Sequence, residues 1–229
     1  MRSWRLIGGL LAVASAVSAG TVASTGDAGA ATVPVVTMLA TFHGDLARTG
    51  YEPLERTIKQ SNVSQMVPSW TYKAAELIST EPTLTGGLAF WGDWAGYEHA
   101  TDSLGHTLWA TYLGQTAASS CGQAPVGVAS SATVGMVGDK ERVWTGSGDG
   151  TVVSLVAKTG RIIWHTRVAP RAGGFVWSSP VLYDGSIYVG VSSVDDCPLV
   201  RGRVVRIDAL TGATLGTFYT IRTSSAARR

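Results

Sequence analysis

Charge is scarce in this sequence. Lys, Arg, Asp and Glu make up 15% of its 229 residues, against 45% hydrophobic ones. A chain so poor in charge and so rich in apolar side chains has a core to bury, which excludes disorder as its resting state. Lysine is nearly missing (Lys59, Lys73, Lys140 and Lys158), and asparagine occurs once, as Asn62. Helix surfaces draw on Lys, Glu and Ala, and the 28 glycines would weaken helix interiors, so a helical protein is excluded in favour of sheets. Phosphate-binding loops, dinucleotide fingerprints and the Gly-x-Ser-x-Gly elbow are absent from any fitting context. Kinase, NAD-linked and serine-hydrolase chemistry therefore have no residues to carry them. A formal charge of +2 is no footprint for nucleic acid or anionic lipid, and Arg228-Arg229 is too short a run to make one.

A long hydrophobic run is also missing. Arg2 and Arg5 precede an apolar stretch from Leu6 to Val17 that Gly and Ser interrupt, and small residues follow. This is the pattern of a signal peptide, too short for a spanning helix. Cleavage fits after Ala19 or after Ala30; the first brings the chain to neutrality, the second leaves one positive charge. The expected product is secreted or extracytoplasmic, with no membrane partner after cleavage. Cysteine is limited to Cys121 and Cys197. An even number in an oxidising compartment favours a structural disulfide over two free thiols.

What is present in quantity is repetition. Three segments share one pattern at a spacing of about 50 residues, in the range of propellers and solenoids. Each opens with a small polar pair and a short apolar strand: Thr80-Glu81-Pro82-Thr83-Leu84, Ser130-Ser131-Ala132-Thr133-Val134 and Ser178-Ser179-Pro180-Val181-Leu182. A tight turn follows in each, Gly86-Gly87, Gly138-Asp139-Lys140 and Asp184-Gly185, where positive φ is tolerated. A second strand then ends in glycine: Leu88 to Gly92, Val143 to Gly146, Ile187 to Gly190. The third strand is clearest as Thr151 to Val156 and Arg203 to Ile207, and the fourth follows Thr159-Gly160 and Thr211-Gly212, with Leu104-Gly105 in the first copy. After these glycines stand Trp109 and Trp164, but Gly216 in the third copy. Four short antiparallel strands per repeat make a propeller blade. Val67 to Tyr72 reads as an outermost strand without the rest of its blade.

The segment Ser154-Leu155-Val156-Ala157-Lys158-Thr159-Gly160-Arg161-Ile162-Ile163-Trp164 resembles the tryptophan-docking motif of pyrroloquinoline quinone (PQQ) dehydrogenase propellers, and Arg206 to Gly212 repeats its first half. The leading stretch His43 to Tyr51 is similar to the one before the first blade in secreted PQQ-repeat proteins, polyvinyl-alcohol dehydrogenase-like ones among them. The resemblance covers about residues 40 to 220. It implies an all-β fold: a partial β-propeller of about three four-stranded antiparallel blades plus one N-terminal strand, in an incomplete ring. The expected division is residues 1–31 (signal peptide and small-residue spacer), 32–79 (leading segment and outer strand), 80–221 (blades at about 80–113, 130–169 and 178–220) and 222–229 (polar tail). Closed rings of the family have seven or eight blades, so a truncated or frame-shifted product is expected.

The resemblance also implies roles. Gly105, Trp109, Gly160, Trp164 and Gly212 are expected to lock neighbouring blades, their aromatics serving as buried anchors. Trp177 follows Gly173-Gly174, which leave room for close approach, and is the candidate for a cofactor face. PQQ and calcium are the possible cofactors. The family's enzymes hold Ca²⁺ with carboxylate and amide ligands, and many add a vicinal disulfide or a Cys-x-x-Cys-His haem. This chain has neither motif, and Asn62 precedes the blades, so no catalytic residue is assigned. His43, His99, His106 and His165 lack ligand spacing and no metal site is expected; His99 with Glu98 and Asp102 is read as a polar, solvated loop. Three functions stay open: a non-catalytic fragment or binding scaffold, a PQQ-dependent alcohol dehydrogenase, and an assembly whose sheet edges pair with another chain.

Overall fold

The computed structural model describes residues 40–117, 124–195 and 198–222. The expected signal segment, the polar tail from residue 223, and both cysteines of the expected disulfide lie outside them.

Apart from one 3₁₀ turn at Val63–Gln65, the regular structure of the described residues is all strand. Strands β1 (Thr83–Thr85), β2 (Leu88–Gly92), β3 (Tyr97–Asp102) and β4 (Thr107–Tyr112) form one sheet in chain order. β5 (Thr133–Val137), β6 (Lys140–Gly146), β7 (Thr151–Val156) and β8 (Ile162–Arg167) form the second. The third runs β10 (Val181–Tyr183), β11 (Ser186–Ser193), β12 (Arg203–Asp208), β13 (Thr214–Tyr219), and a short β9 (Gly174–Phe175) pairs with the far end of β11. Every pairing is antiparallel, so each sheet is an up-and-down blade.

Local chemistry accounts for the hairpins. Thr85 pairs with Leu88, Val137 with Lys140 and Tyr183 with Ser186, which leaves two residues for each first turn. Asp184 and Gly185 take φ of 45° and 67°, the doubly positive geometry whose twist matches the strands it joins. β3 was harder to foresee. Its sequence, Tyr-Glu-His-Ala-Thr-Asp, carries only one β-branched residue, and the strand exists because β2 and β4 pair with it on both sides. Val67 to Tyr72 pairs with no strand among the described residues, since none of its own blade stands beside it.

The blades stack face against face. Phe90, Ala100 and Trp109 of the first pack on Val134, Val143, Val153, Leu155 and Ala157 of the second. Trp144, Val152 and Trp164 of the second pack on Ile187, Val189, Val205, Ile207 and Ala209 of the third. Along the innermost strands the same polar bonds recur from blade to blade. Thr83 Oγ1 donates to the Ala132 carbonyl and Thr133 Oγ1 to that of Pro180, both at 2.7 Å. Glu81 N–H donates to Ser131 Oγ at 2.7 Å and Ser131 N–H to Ser179 Oγ at 3.1 Å. The leading segment touches all three blades. Val134 N–H donates to Ala40 O (2.7 Å), His43 N–H to Glu81 Oε1 (3.0 Å), and Arg48 Nη2 to the carbonyls of Ser179 and Pro180 (3.3 Å each). Three blades make an arc that does not close on itself.

Candidate functional site

Three tryptophans lie on three turn glycines, each indole reaching forward to the next turn in the chain. Trp70 lies on Gly105, Trp109 on Gly160 and Trp164 on Gly212; a Cβ on those glycines would fall 2.6 to 2.7 Å from the ring atoms. The three glycines also hold positive φ (85°, 67° and 79°), so both backbone and space require the missing side chain. Each indole N–H finds a carbonyl: Trp109 to Ala157 at 2.8 Å, Trp164 to Ala209 at 3.3 Å, Trp70 to Ser103 at 3.1 Å. Thr111 and Thr166 add hydroxyl bonds to the carbonyls of Gly160 and Gly212. Trp109 and Trp164 join neighbouring blades, and Trp70 fastens the leading segment to the first. Trp70 was missed as a docking residue, although its place before the first copy matches that of Trp109 before the second.

Trp177 stands apart from this set. It is 38% exposed. Its indole N–H donates to the Ser193 carbonyl at 3.1 Å, which fixes the ring's orientation, and Phe175 supports it at a centroid distance of 4.5 Å. Trp94, from the β2–β3 turn, meets it edge-on at 6.5 Å. The neighbouring glycines make room for something other than a ligand: Gly173 is closed by Pro198 and Gly174 by Pro170. The open side of Trp177 belongs to a cleft of ≈ 400 Å³ that Phe42, Arg48, Ser79, Ser131 and Ser179 help to line.

Arg48 is the cation of this cleft, and nothing in the local sequence pointed to it. It sits at φ 58° in the leading segment, with its guanidinium 5.3 Å over the Phe42 ring and bonded to three carbonyls. Burial pulls its pKa below the ordinary guanidinium value while Glu81 pushes it back up, and an arginine so placed keeps its charge at neutral pH. The Ser131 and Ser179 hydroxyls each accept a backbone N–H, which leaves their own protons to donate. An aromatic face, a cation and two hydroxyls suit a flat, negatively charged ligand, and PQQ is one. No group of three His, Cys, Asp or Glu among the described residues is placed to hold an ion. Asp149 answers its own turn, accepting from Ser147, from Thr151 and from Arg167 Nη2 at 3.0 Å.

His99 and Glu98 do not form the solvated loop expected of them. Both are buried on β3, the central strand between β2 and β4. The partner of His99 is Asp93, with Nε2 at 3.1 Å from Oδ2, and Asp102 bonds His106 instead at 3.0 Å. Trp91 stacks on the imidazole at 3.9 Å. Burial lowers the His99 pKa, with Asp93 opposing. Aligning Gly92 with Gly146 and Gly190 would have placed Glu98 opposite the first of them, inside a sheet.

Comparison with known proteins agrees with this architecture. The PQQ_2 family model, described as outer membrane protein assembly factor BamB, matches residues 95–227. The quinohemoprotein alcohol dehydrogenase of Comamonas testosteroni is 26% identical over 173 residues, which are 73% of this chain and 23% of that protein. Its crystal structure superimposes with a TM-score of 0.70 at 21% identity, over 86% of this chain and 29% of that one. The polyvinylalcohol dehydrogenase of a Pseudomonas species is 32% identical over 77 residues, 30% of this chain and 12% of the relative. The chain thus spans a quarter or less of the curated relatives it matches. With the family model covering more than half of its length, the chain belongs to the PQQ_2 family of β-propeller repeats.

Proposed function

We propose that this chain is an extracytoplasmic PQQ-repeat module that binds a planar anionic ligand at Trp177 and does not oxidise alcohols on its own. The observation that carries this reading is the cleft itself: an oriented indole, the Arg48 guanidinium and two donor hydroxyls face one space, without a metal-ligating group of three beside it among the described residues. Arg48 would pair with a carboxylate of the ligand, Ser131 and Ser179 would donate to its oxygens, and Trp177 would cover its π-face. PQQ fits this description, and when bound it would supply two-electron redox chemistry. The similarity to a quinohemoprotein alcohol dehydrogenase supports the second reading, an alcohol dehydrogenase or part of one. Association through the exposed β13 edge is a third proposal, in line with the exposure of all six of its residues.

Titration with PQQ, followed by tryptophan fluorescence with and without Ca²⁺ and then with an alcohol and a dye, separates the readings. Saturable quenching that Trp177→Ala abolishes, with no dye reduction, is expected of the binding module. Calcium-dependent dye reduction would establish the dehydrogenase instead. No quenching would remove the cleft from consideration. Light scattering across a concentration series tests β13, whose pairing predicts a mass that grows with concentration.

A further inference from the structure

In the middle of the first blade, the residue that faces the second blade is a glutamate. Glu98 pairs across from Gly92, as Val152 does from Gly146 and Val204 from Gly190. A carboxyl group therefore stands where the other two blades carry valine. It is fully buried, and neither of its oxygens has a hydrogen-bond partner. The surrounding seam is tight: a Cβ on Gly92 would lie 2.3 Å from a Val128 methyl and 3.2 Å from Glu98 Oε2.

Few groups act on this carboxyl. From β6 comes the Thr145 hydroxyl, which would favour the anion, but its proton goes to the Ser130 carbonyl at 2.9 Å. From the turn after β2 comes Asp93, a second acid, which is held by His99 on the other face of β3 and by the Tyr97 N–H at 3.1 Å. From the segment before β5 comes Val128, which brings no charge. No cation is among the groups that act on Glu98. Burial in the first place, and then Asp93, push its pKa up to about 8.

A bare carboxylate in an apolar seam must either take a proton or admit water, and water enters only if the seam parts. We propose that Glu98 makes the junction of the first and second blades a proton-controlled joint, closed while its carboxyl is neutral and opened when it ionises. The sign follows from the two protonation equilibria. A glutamate in the unfolded chain ionises from its ordinary value of 4.5, whereas Glu98 in the folded chain holds its proton to about 8. The closed seam keeps its full stability below the unfolded value and loses it as pH rises through the folded one. In that window the unfolding equilibrium constant shifts by up to about tenfold per pH unit. The junction of the second and third blades, with Val152 at the matching place, has no such response.

Urea unfolding of the full chain from pH 5 to 9 tests the joint, with wild type set beside Glu98→Gln and Glu98→Val, the latter copying Val152. Relative to both variants, the wild type should lose stability steadily up to about pH 8 and then level off. Amide exchange, corrected for its intrinsic pH dependence, should show β3 and Val128 losing protection with pH in the wild type alone, while β11 and β12 keep theirs. Parallel pH curves for wild type and Glu98→Gln would overturn the joint. Infrared spectroscopy of wild type labelled at glutamate needs no variant: a protonated carboxyl band at pH 7 that disappears near pH 8 is expected. Its absence at pH 7 would overturn the proposal even if both variants failed to fold.

Discussion

The two blade junctions share a lock and differ in what fills the space behind it. At both, an outer-strand tryptophan lies on the next blade's turn glycine and donates to the carbonyl at that turn. Trp109 is buried with a 2.8 Å bond, however, whereas Trp164 is only partly buried with a 3.3 Å bond. Behind the lock the first junction holds Glu98, and the second holds Val152 with the Arg142 guanidinium bonded across to the carbonyls of Ala209 and Leu210. The second junction has unpartnered polar atoms too: Trp144 Nε1 and Ser154 Oγ are neutral groups with modest desolvation costs, and Arg142 Nε belongs to a guanidinium that is bonded across the junction through Nη1. A repeat can thus keep its docking geometry while one central-strand substitution changes how a junction answers to pH.

The largest effect should come from forcing a side chain under the first lock. Gly160→Val places atoms inside the Trp109 ring and forces a β-branched residue to positive φ, at a cost of about 4 kcal/mol or more. Urea unfolding should find little folded protein. Trp109→Ala is expected to cost about 3–5 kcal/mol, the range for removing a large buried aromatic. Trp164→Ala should cost less, about 2 kcal/mol, because less of its surface is buried. Equal losses for the two would erase the distinction between the junctions.

Smaller changes refine the comparison. Thr111→Val removes the 2.8 Å bond to the Gly160 carbonyl and should cost about 1 kcal/mol, read from the urea midpoint at unchanged slope. Asp149 should govern the acid side. Burial raises its pKa, but the Ser147 and Thr151 bonds and Arg167 together bring it below the ordinary carboxylate value. Its contribution is therefore present above the unfolded value and lost as pH falls through the lower folded one, opposite in sign to that of Glu98. Because the pair with Arg167 is partly exposed, Asp149→Asn should shift stability by only a few tenths of a kcal/mol, and only above about pH 4.

The blades were legible because their determinants are local. Asp184-Gly185 can form a two-residue turn wherever it stands, and the interval from Thr-Gly to tryptophan survives as a pattern in one sequence. The functional cleft was half legible. Trp177 could be picked out by its place before an innermost strand, but Arg48 reaches the same space from the leading segment, and no spacing links the two. Glu98 was hidden for a different reason: its strand is imposed by neighbours, so a reading by propensity left it in a loop.

The leading segment bears on the order of events during folding. Strand pairing within each blade joins neighbours in sequence, so a blade can form as soon as its own residues are at hand. Arg48, by contrast, bonds to carbonyls 131 and 132 residues away, and Ala40 reaches Val134 in the second blade. The Arg48 bonds cannot close until the third blade's innermost strand exists, and closing so long a loop costs entropy that only a finished partner repays. The backbone around Arg48 should therefore gain protection last, after every blade has acquired its own.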